Sequence, residues 1–114
     1  MNRIRSVGYA FKGMYVLLRT EASIKIQFFI ALFMAGLGFY FEISAMEWMV
    51  QLLAVGMVMG VEGVNTAIEK LADYIQPAKD VRIGVIKDIS AGAVMIVSVV
   101  ACIVGLIIYV PKFF

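Results

Sequence analysis

A run of polar residues interrupts an apolar stretch in the middle of this 114-residue chain. Glu62, Asn65, Glu69 and Asp73 follow one another at intervals of three or four residues. At about 100° per residue, this spacing places all four on one face of a helix, with Thr66 beside them. One such residue could simply hydrogen-bond two helices together, but four on one face indicate a shared chemical purpose.

The depth of this polar face points to a role for Glu62. Counting about 1.5 Å per residue from Trp48, Glu62 would lie roughly 21 Å into a hydrocarbon core of about 30 Å, and Glu69 would lie at its far edge. A carboxylate inside hydrocarbon is costly, so an intramembrane Glu is by default a functional candidate. We therefore predict that Glu62 is a general base for a group presented from the bilayer.

Carboxylates at the membrane edge could hold a divalent cation. The chain has no His and one Cys, which favours oxygen ligands and a hard cation such as Mg²⁺. Glu69 and Asp73 would supply carboxylates, and Glu21 lies at a similar depth before the first apolar stretch. Lys87 would attract phosphate, and Asp88 suits a helix N-terminus. Together these residues suggest phosphoryl transfer from a nucleotide to a lipid hydroxyl, although no familiar kinase motif is present.

Helices that cross a bilayer must position these residues. The composition is 63% hydrophobic and only 16% charged, which is more apolar than a small soluble domain can bury. Three strands could not close a barrel, so the spans must be helices. We predict an all-α membrane protein with one domain over 1–114. An amphipathic interfacial helix should cover about 1–20, and transmembrane helices should cover about 24–43, 47–75 and 88–110.

Two prolines mark predicted helix ends. Pro77 should end the second span and Pro111 the third, because proline lacks the N–H that a helix interior needs. The longest loop is then expected over about 76–86.

The basic residues indicate the orientation. Nine of the ten Lys and Arg residues fall on one side, up to the start of the first span or from the end of the second span to the third, and Lys112 alone lies on the other side. The positive-inside rule makes the first side cytoplasmic, so the N-terminus is predicted inside and the C-terminus outside. The net charge of +2 is too small to indicate a nucleic-acid partner.

The polar run and its surroundings resemble a known family, the small bacterial integral-membrane lipid kinases, which include prokaryotic diacylglycerol kinase and undecaprenol kinase. The likeness covers essentially the whole chain, and the turn around Ser44 and the C-terminal ending look closer to the undecaprenol kinase branch. Its most specific parts are Glu62-Gly-Val-Asn65-Thr-Ala-Ile-Glu69, then Asp73, and the pair Lys87-Asp88 before Ala91-Gly-Ala-Val.

The resemblance implies roles for individual residues. Glu62 matches the catalytic base, Glu21 and Glu69 match the pair that holds Mg²⁺ beside the ATP phosphates, and Asn65 matches a supporting polar residue of the site. Arg3 or Arg5 matches a basic contact near the N-terminus. The ATP-contacting positions are Tyr9, Glu21, Glu69, Asp73, Lys79, Asp80, Lys87 and Asp88. Gln27 stands where relatives often carry an ionisable residue, which implies that no titratable group is needed there.

The resemblance also implies a bacterial inner-membrane enzyme. It would be a homotrimer whose sites face the cytoplasm and are shared between subunits; the cost of exposing the polar face to lipid says only that one chain is too few. The substrate would be a membrane lipid alcohol, and both diacylglycerol and undecaprenol remain open. The alternative from another class is a non-enzymatic channel or transporter subunit in which a ring of Glu62 residues lines a pore.

Overall fold

The computed structural model describes residues 3–114, which form four helices connected by short turns. These residues contain no strand, so the prediction of an all-α chain is confirmed for them. Residues 1 and 2, which the predicted N-terminal helix included, lie outside the described part. The helices are α1 (Arg3–Thr20), α2 (Ala22–Tyr40), α3 (Ala45–Ile75) and α4 (Val81–Phe113).

Three of the four helices, α2, α3 and α4, are long and apolar enough to cross a membrane. This confirms the predicted number of candidate spans and their order along the chain. The first helix, α1, buries none of its residues within the chain. Its helical conformation was predicted, and its position in the membrane interface stays a prediction.

Local sequence explains both ends of α3. Ser44 Oγ accepts a 3.1 Å hydrogen bond from the backbone N–H of Glu47, and the Glu47 carboxylate accepts one of 2.9 Å from the backbone N–H of Ser44. This reciprocal pair is a capping box, which satisfies two donors that a helix start leaves without partners. At the other end, Gln76 is extended, as expected for the residue before a proline, and α3 ends at Ile75 as predicted from Pro77.

The predicted loop over about 76–86 was too long, because α4 begins at Val81. Asp80 starts the helix early: its carboxylate accepts hydrogen bonds of 2.8 Å from the backbone N–H of Arg82 and 3.4 Å from that of Ile83. The prediction that Pro111 ends α4 was also wrong, since the helix runs to Phe113. The φ angle of proline is compatible with a helix, and this late in α4 a missing donor disrupts little.

A small core joins α2, α3 and α4 near the turn between α2 and α3. Gly38 is buried there, and a Cβ at that position would lie 2.6 Å from Cη2 of Trp48, so only glycine permits this close approach. Ile43, Ile108 and Tyr109 are buried around the same point, with five partly buried neighbours: Met34, Leu37, Phe41, Trp48 and Val104.

A polar network crosses this core. The Tyr109 hydroxyl donates a 2.6 Å hydrogen bond to Oε1 of Gln51 and lies 3.2 Å from the backbone carbonyl of Met34. Nε2 of Gln51 donates to the same carbonyl at 3.3 Å. One residue from each long helix is therefore tied to the other two, which fixes how the three helices are rotated against one another.

Candidate active site

The Glu62 carboxylate is held from the neighbouring helix by two neutral donors. Ser23 Oγ of α2 donates to Oε1 at 3.0 Å, and Gln27 Nε2 donates to Oε2 at 3.4 Å. Ser23 and Gln27 are four residues apart, so both point from the same face of α2. Glu62 is half-buried, and within residues 3–114 no Lys or Arg forms an ion pair with it. Both of its oxygens are thus oriented by neutral side chains and not by a positively charged one.

Ser23 was missed by the sequence analysis, and Gln27 was considered only as a replacement for an ionisable group. The structure shows that Gln27 contacts the predicted base through its amide. The available signal was two neutral polar residues four positions apart in α2, which is mostly apolar and also carries Lys25 between them. That spacing indicates a shared face but does not identify the partner.

The rest of the polar face continues along α3 from Glu62. Asn65 and Thr66 are both buried. Thr66 Oγ1 donates to the Glu62 carbonyl oxygen at 3.1 Å, and Asn65 Nδ2 donates to Glu69 Oε1 at 3.4 Å. The other amide atom of Asn65, Oδ1, is buried without a hydrogen-bond partner. A buried acceptor of this kind is available to a ligand.

Glu21 and Glu69, the two predicted metal ligands, have different partners in the chain. Glu21 lies 3.4 Å from Nζ of Lys70, whereas Glu69 is bound by Asn65. Across residues 3–114, no group of three or more His, Cys, Asp and Glu side chains is placed to hold a metal ion. The oxygens of Glu69 and the unpaired Oδ1 of Asn65 nevertheless fit Mg²⁺, which commonly takes one or two carboxylates and leaves its other positions to water and phosphates.

A second charged group forms where α3 ends and α4 begins. Lys87 Nζ forms an ion pair with the Asp73 carboxylate, which brings together two residues predicted to contact ATP. Asp80, a third such residue, caps α4 and lies 3.5 Å from Arg82 Nη2. The hydrogen bond from the Arg82 side chain, followed by those from the backbone N–H groups of Arg82 and Ile83, lowers the pKa of Asp80.

The three remaining predicted ATP contacts and the predicted N-terminal basic contact lie on exposed surface. The ATP contacts are Tyr9 on α1, Lys79 in the turn before α4, and Asp88 on α4; the basic contact is Arg3 on α1.

Comparison with known proteins places this chain in a family. The family model described as prokaryotic diacylglycerol kinase matches residues 8–109, a range that contains Glu21, Glu62, Glu69 and Lys87. The chain is also 35% identical over 113 residues to the undecaprenol kinase of Bacillus subtilis (strain 168), covering 98% of this chain and 92% of that protein. The chain therefore belongs to the prokaryotic diacylglycerol kinase family of membrane lipid kinases.

Proposed function

We propose that this protein transfers the γ-phosphoryl group of ATP to the hydroxyl group of an undecaprenol-type lipid alcohol. The observation that carries the proposal is the half-buried Glu62 carboxylate of α3, held by Ser23 and Gln27 of the neighbouring α2. A base in this position can take a proton from a hydroxyl that enters from the bilayer. The channel alternative is not favoured, because the family is a kinase family.

The reaction needs one proton transfer and one displacement at phosphorus. Glu62 accepts the proton of the lipid hydroxyl, and the oxygen forms a bond to the γ-phosphorus. The bond from that phosphorus to the bridging oxygen breaks, and ADP leaves with the bond's electron pair. Ser23 and Gln27 hold the orientation of the carboxylate, because each donates a hydrogen bond to one of its oxygens and leaves a further lone pair on that oxygen for the entering hydroxyl.

Mg²⁺ is the cation that the polar face would hold. Glu69 and the Oδ1 atom of Asn65 would be its ligands, and Glu21 of a neighbouring subunit would join them after release from Lys70 of its own chain. When bound, the cation would neutralise negative charge on the transferring phosphoryl group. The nucleotide would lie beside the Lys87–Asp73 ion pair. The other proposed ATP contacts are Tyr9, Lys79, Asp80 and Asp88, and Arg3 is proposed as a basic contact near the N-terminus.

The choice of lipid is supported by the curated relative. That protein is named as an undecaprenol kinase and aligns with nearly the whole of this chain, so its substrate is the first to test. Diacylglycerol is the second, because it also presents a primary hydroxyl at the membrane surface. The charge distribution supports a site facing the cytoplasm, with the N-terminus inside. We also propose a homotrimer in which neighbouring subunits complete each site.

A side-by-side assay tests the function. The purified protein in detergent–lipid micelles would be given ATP, Mg²⁺ and equal amounts of undecaprenol or diacylglycerol, and the phosphorylated lipids would be identified by mass spectrometry. We expect undecaprenyl phosphate to form faster than phosphatidic acid, and the Glu62→Gln variant to form neither at a comparable rate. Faster phosphorylation of diacylglycerol would contradict the substrate assignment, and no phosphorylated lipid at all would contradict the proposed function.

A further inference from the structure

A cavity of about 560 Å³ lies between α2, α3 and α4, on the side of Glu62 that faces the turn between α2 and α3. Small side chains leave this space open: Ala31 on α2, Ala54 on α3, and Ala101 and Gly105 on α4 all line it. No charged residue lines it, and most of the other lining residues are aliphatic. The volume and the apolar wall are typical of sites that bind a small hydrophobic ligand.

One end of the cavity lies at Gln27, the hydrogen-bond partner of the proposed base. Gln27 lines it at one end and donates to Glu62 at 3.4 Å. Gln51 lies at the other end, where the hydrogen bonds to Tyr109 and Met34 already satisfy its amide. Ser98 and Ile108 of α4, which both line the cavity, are ten positions apart, which corresponds to roughly 15 Å along the helix, about half of a hydrocarbon core.

One atom at the Glu62 end needs a hydrogen-bond donor. Oε1 of Gln27 is buried and has no partner, a condition that is costly in an apolar setting. The hydrocarbon chains of ordinary membrane lipids carry no donor. A lipid alcohol carries one, at the end of its chain.

We infer that this cavity binds the single hydrocarbon chain of the lipid alcohol, with the hydroxyl at Gln27 beside Glu62. The inference rests on the proposed function and narrows its substrate class to alcohols with one apolar chain. The hydroxyl first donates to Oε1 of Gln27. Rotation about the C–O bond then turns the hydroxyl proton towards Glu62, to which Gln27 is already hydrogen-bonded. The part of the chain nearest the hydroxyl fills the cavity, and the remainder leaves between the helices into the bilayer.

Two neighbouring residues of α4 provide a matched pair of variants. Ala101 lines the cavity, whereas Val100 is exposed on the outer surface and does not line it. Ala101→Phe should block the cavity, while Val100→Phe adds the same ring on the exposed face of α4. Ala54→Leu fills the cavity from α3 and serves as a second blocking variant, so the result does not depend on one substitution folding well.

The test adds a photoreactive probe to the full chain in micelles. The probe is a prenyl alcohol that carries a diazirine about 10 Å from its hydroxyl, a distance that corresponds to roughly seven residues along a helix. We expect adducts on residues around Ala101 and Met34, displaced by excess undecaprenol but not by diacylglycerol. Both blocking variants should lose the adducts and raise the KM for undecaprenol about tenfold or more, leaving the KM for ATP unchanged. Val100→Phe should change neither.

The outcomes separate the two proposals. Three results would overturn the inference in a protein that still phosphorylates lipid. They are adducts confined to the outer surface at Val100, no adducts at all, and labelling that is unchanged in both blocking variants. Equal displacement by diacylglycerol would overturn the restriction to one chain. If no lipid is phosphorylated but specific labelling of the cavity remains, the proposed function fails and the binding site stands.

Discussion

Ser23 and Glu62 are joined by a hydrogen bond of 3.0 Å although 39 positions separate them in the chain. The bond connects the first turn of α2 with the middle of α3, in the part of the bundle where the polar face enters the apolar region. Gln27 adds a second bond to the same carboxylate. The proposed base is therefore held by the contact between two spans and not by its own helix alone.

Glu62→Gln should lower kcat by about 10²–10⁴-fold, because the amide cannot accept the hydroxyl proton. The KM for ATP should stay nearly unchanged, since the nucleotide is proposed to bind further along α3. Ser23→Ala removes one orienting bond and leaves the base in place, so it should lower kcat much less. Steady-state kinetics of the three proteins measures this, and turnover of Glu62→Gln within a few-fold of the parent would contradict the assignment.

Glu21→Gln and Glu69→Gln should each weaken the use of MgATP, because the cation and the triphosphate lose a compensating carboxylate or ligand. Raising the Mg²⁺ concentration should partly restore both variants and should not restore Glu62→Gln. The measurement is a Mg²⁺ titration of the rate at fixed ATP. Restoration of all three variants, or of none, would argue against separate roles for these residues.

Mixed oligomers test whether sites are shared. Chains carrying Glu21→Gln and chains carrying Glu69→Gln, mixed under conditions of subunit exchange, should recover partial activity if Glu21 of one chain meets Glu69 of another. Chains carrying Glu62→Gln mixed with Glu69→Gln chains provide the control, since both residues lie on α3 and should not complement. No recovery in the first mixture after proven exchange would place each site within one chain, where Glu21 contacts Lys70.

Tyr109→Phe should destabilise the helix bundle by about 1–2 kcal/mol, because the buried Oε1 of Gln51 loses its donor. Tyr40→Phe is the matched control, since Tyr40 is 79% exposed. Unfolding in a mixed detergent series would give both free energies. A double-mutant cycle with Gln51→Leu should show coupling between the two side chains, and strictly additive losses would contradict a direct interaction.

The cap at Asp80 should make the start of α4 sensitive to acid. The hydrogen bonds to the Asp80 carboxylate lower its pKa below the ordinary value of 3.8. The contribution of the ionised cap to the stability of the folded state is therefore present above that value and is lost as pH falls through the folded-state pKa. Asp80→Asn retains a good capping residue without a titrating group, so it should remove this part of the acid dependence. Thermal unfolding between neutral and strongly acidic pH measures it; identical pH curves for the two proteins would contradict the prediction.

The amino-acid sequence by itself determined the three apolar spans and the polar face of Glu62, Asn65 and Glu69. Both depend on short-range properties, the composition of consecutive residues and the constant turn of a helix, which no tertiary contact changes. The end of α3 before Pro77 was predictable for the same reason. The early start of α4 was not predicted, although Asp80 is a common capping residue, because the apolar stretch without charged residues begins only at Ile89.

Only the tertiary structure decided which residues meet across helices. The sequence placed Ser23 and Gln27 on α2 and Glu62 on α3, but their contact depends on how the two helices are rotated and offset. The same holds for Lys87 with Asp73 and for the cavity beside Gln27. Helix periodicity specifies the direction of a side chain relative to its own axis. The packing of small and large side chains between axes, as at Gly38 against Trp48, specifies what that side chain touches.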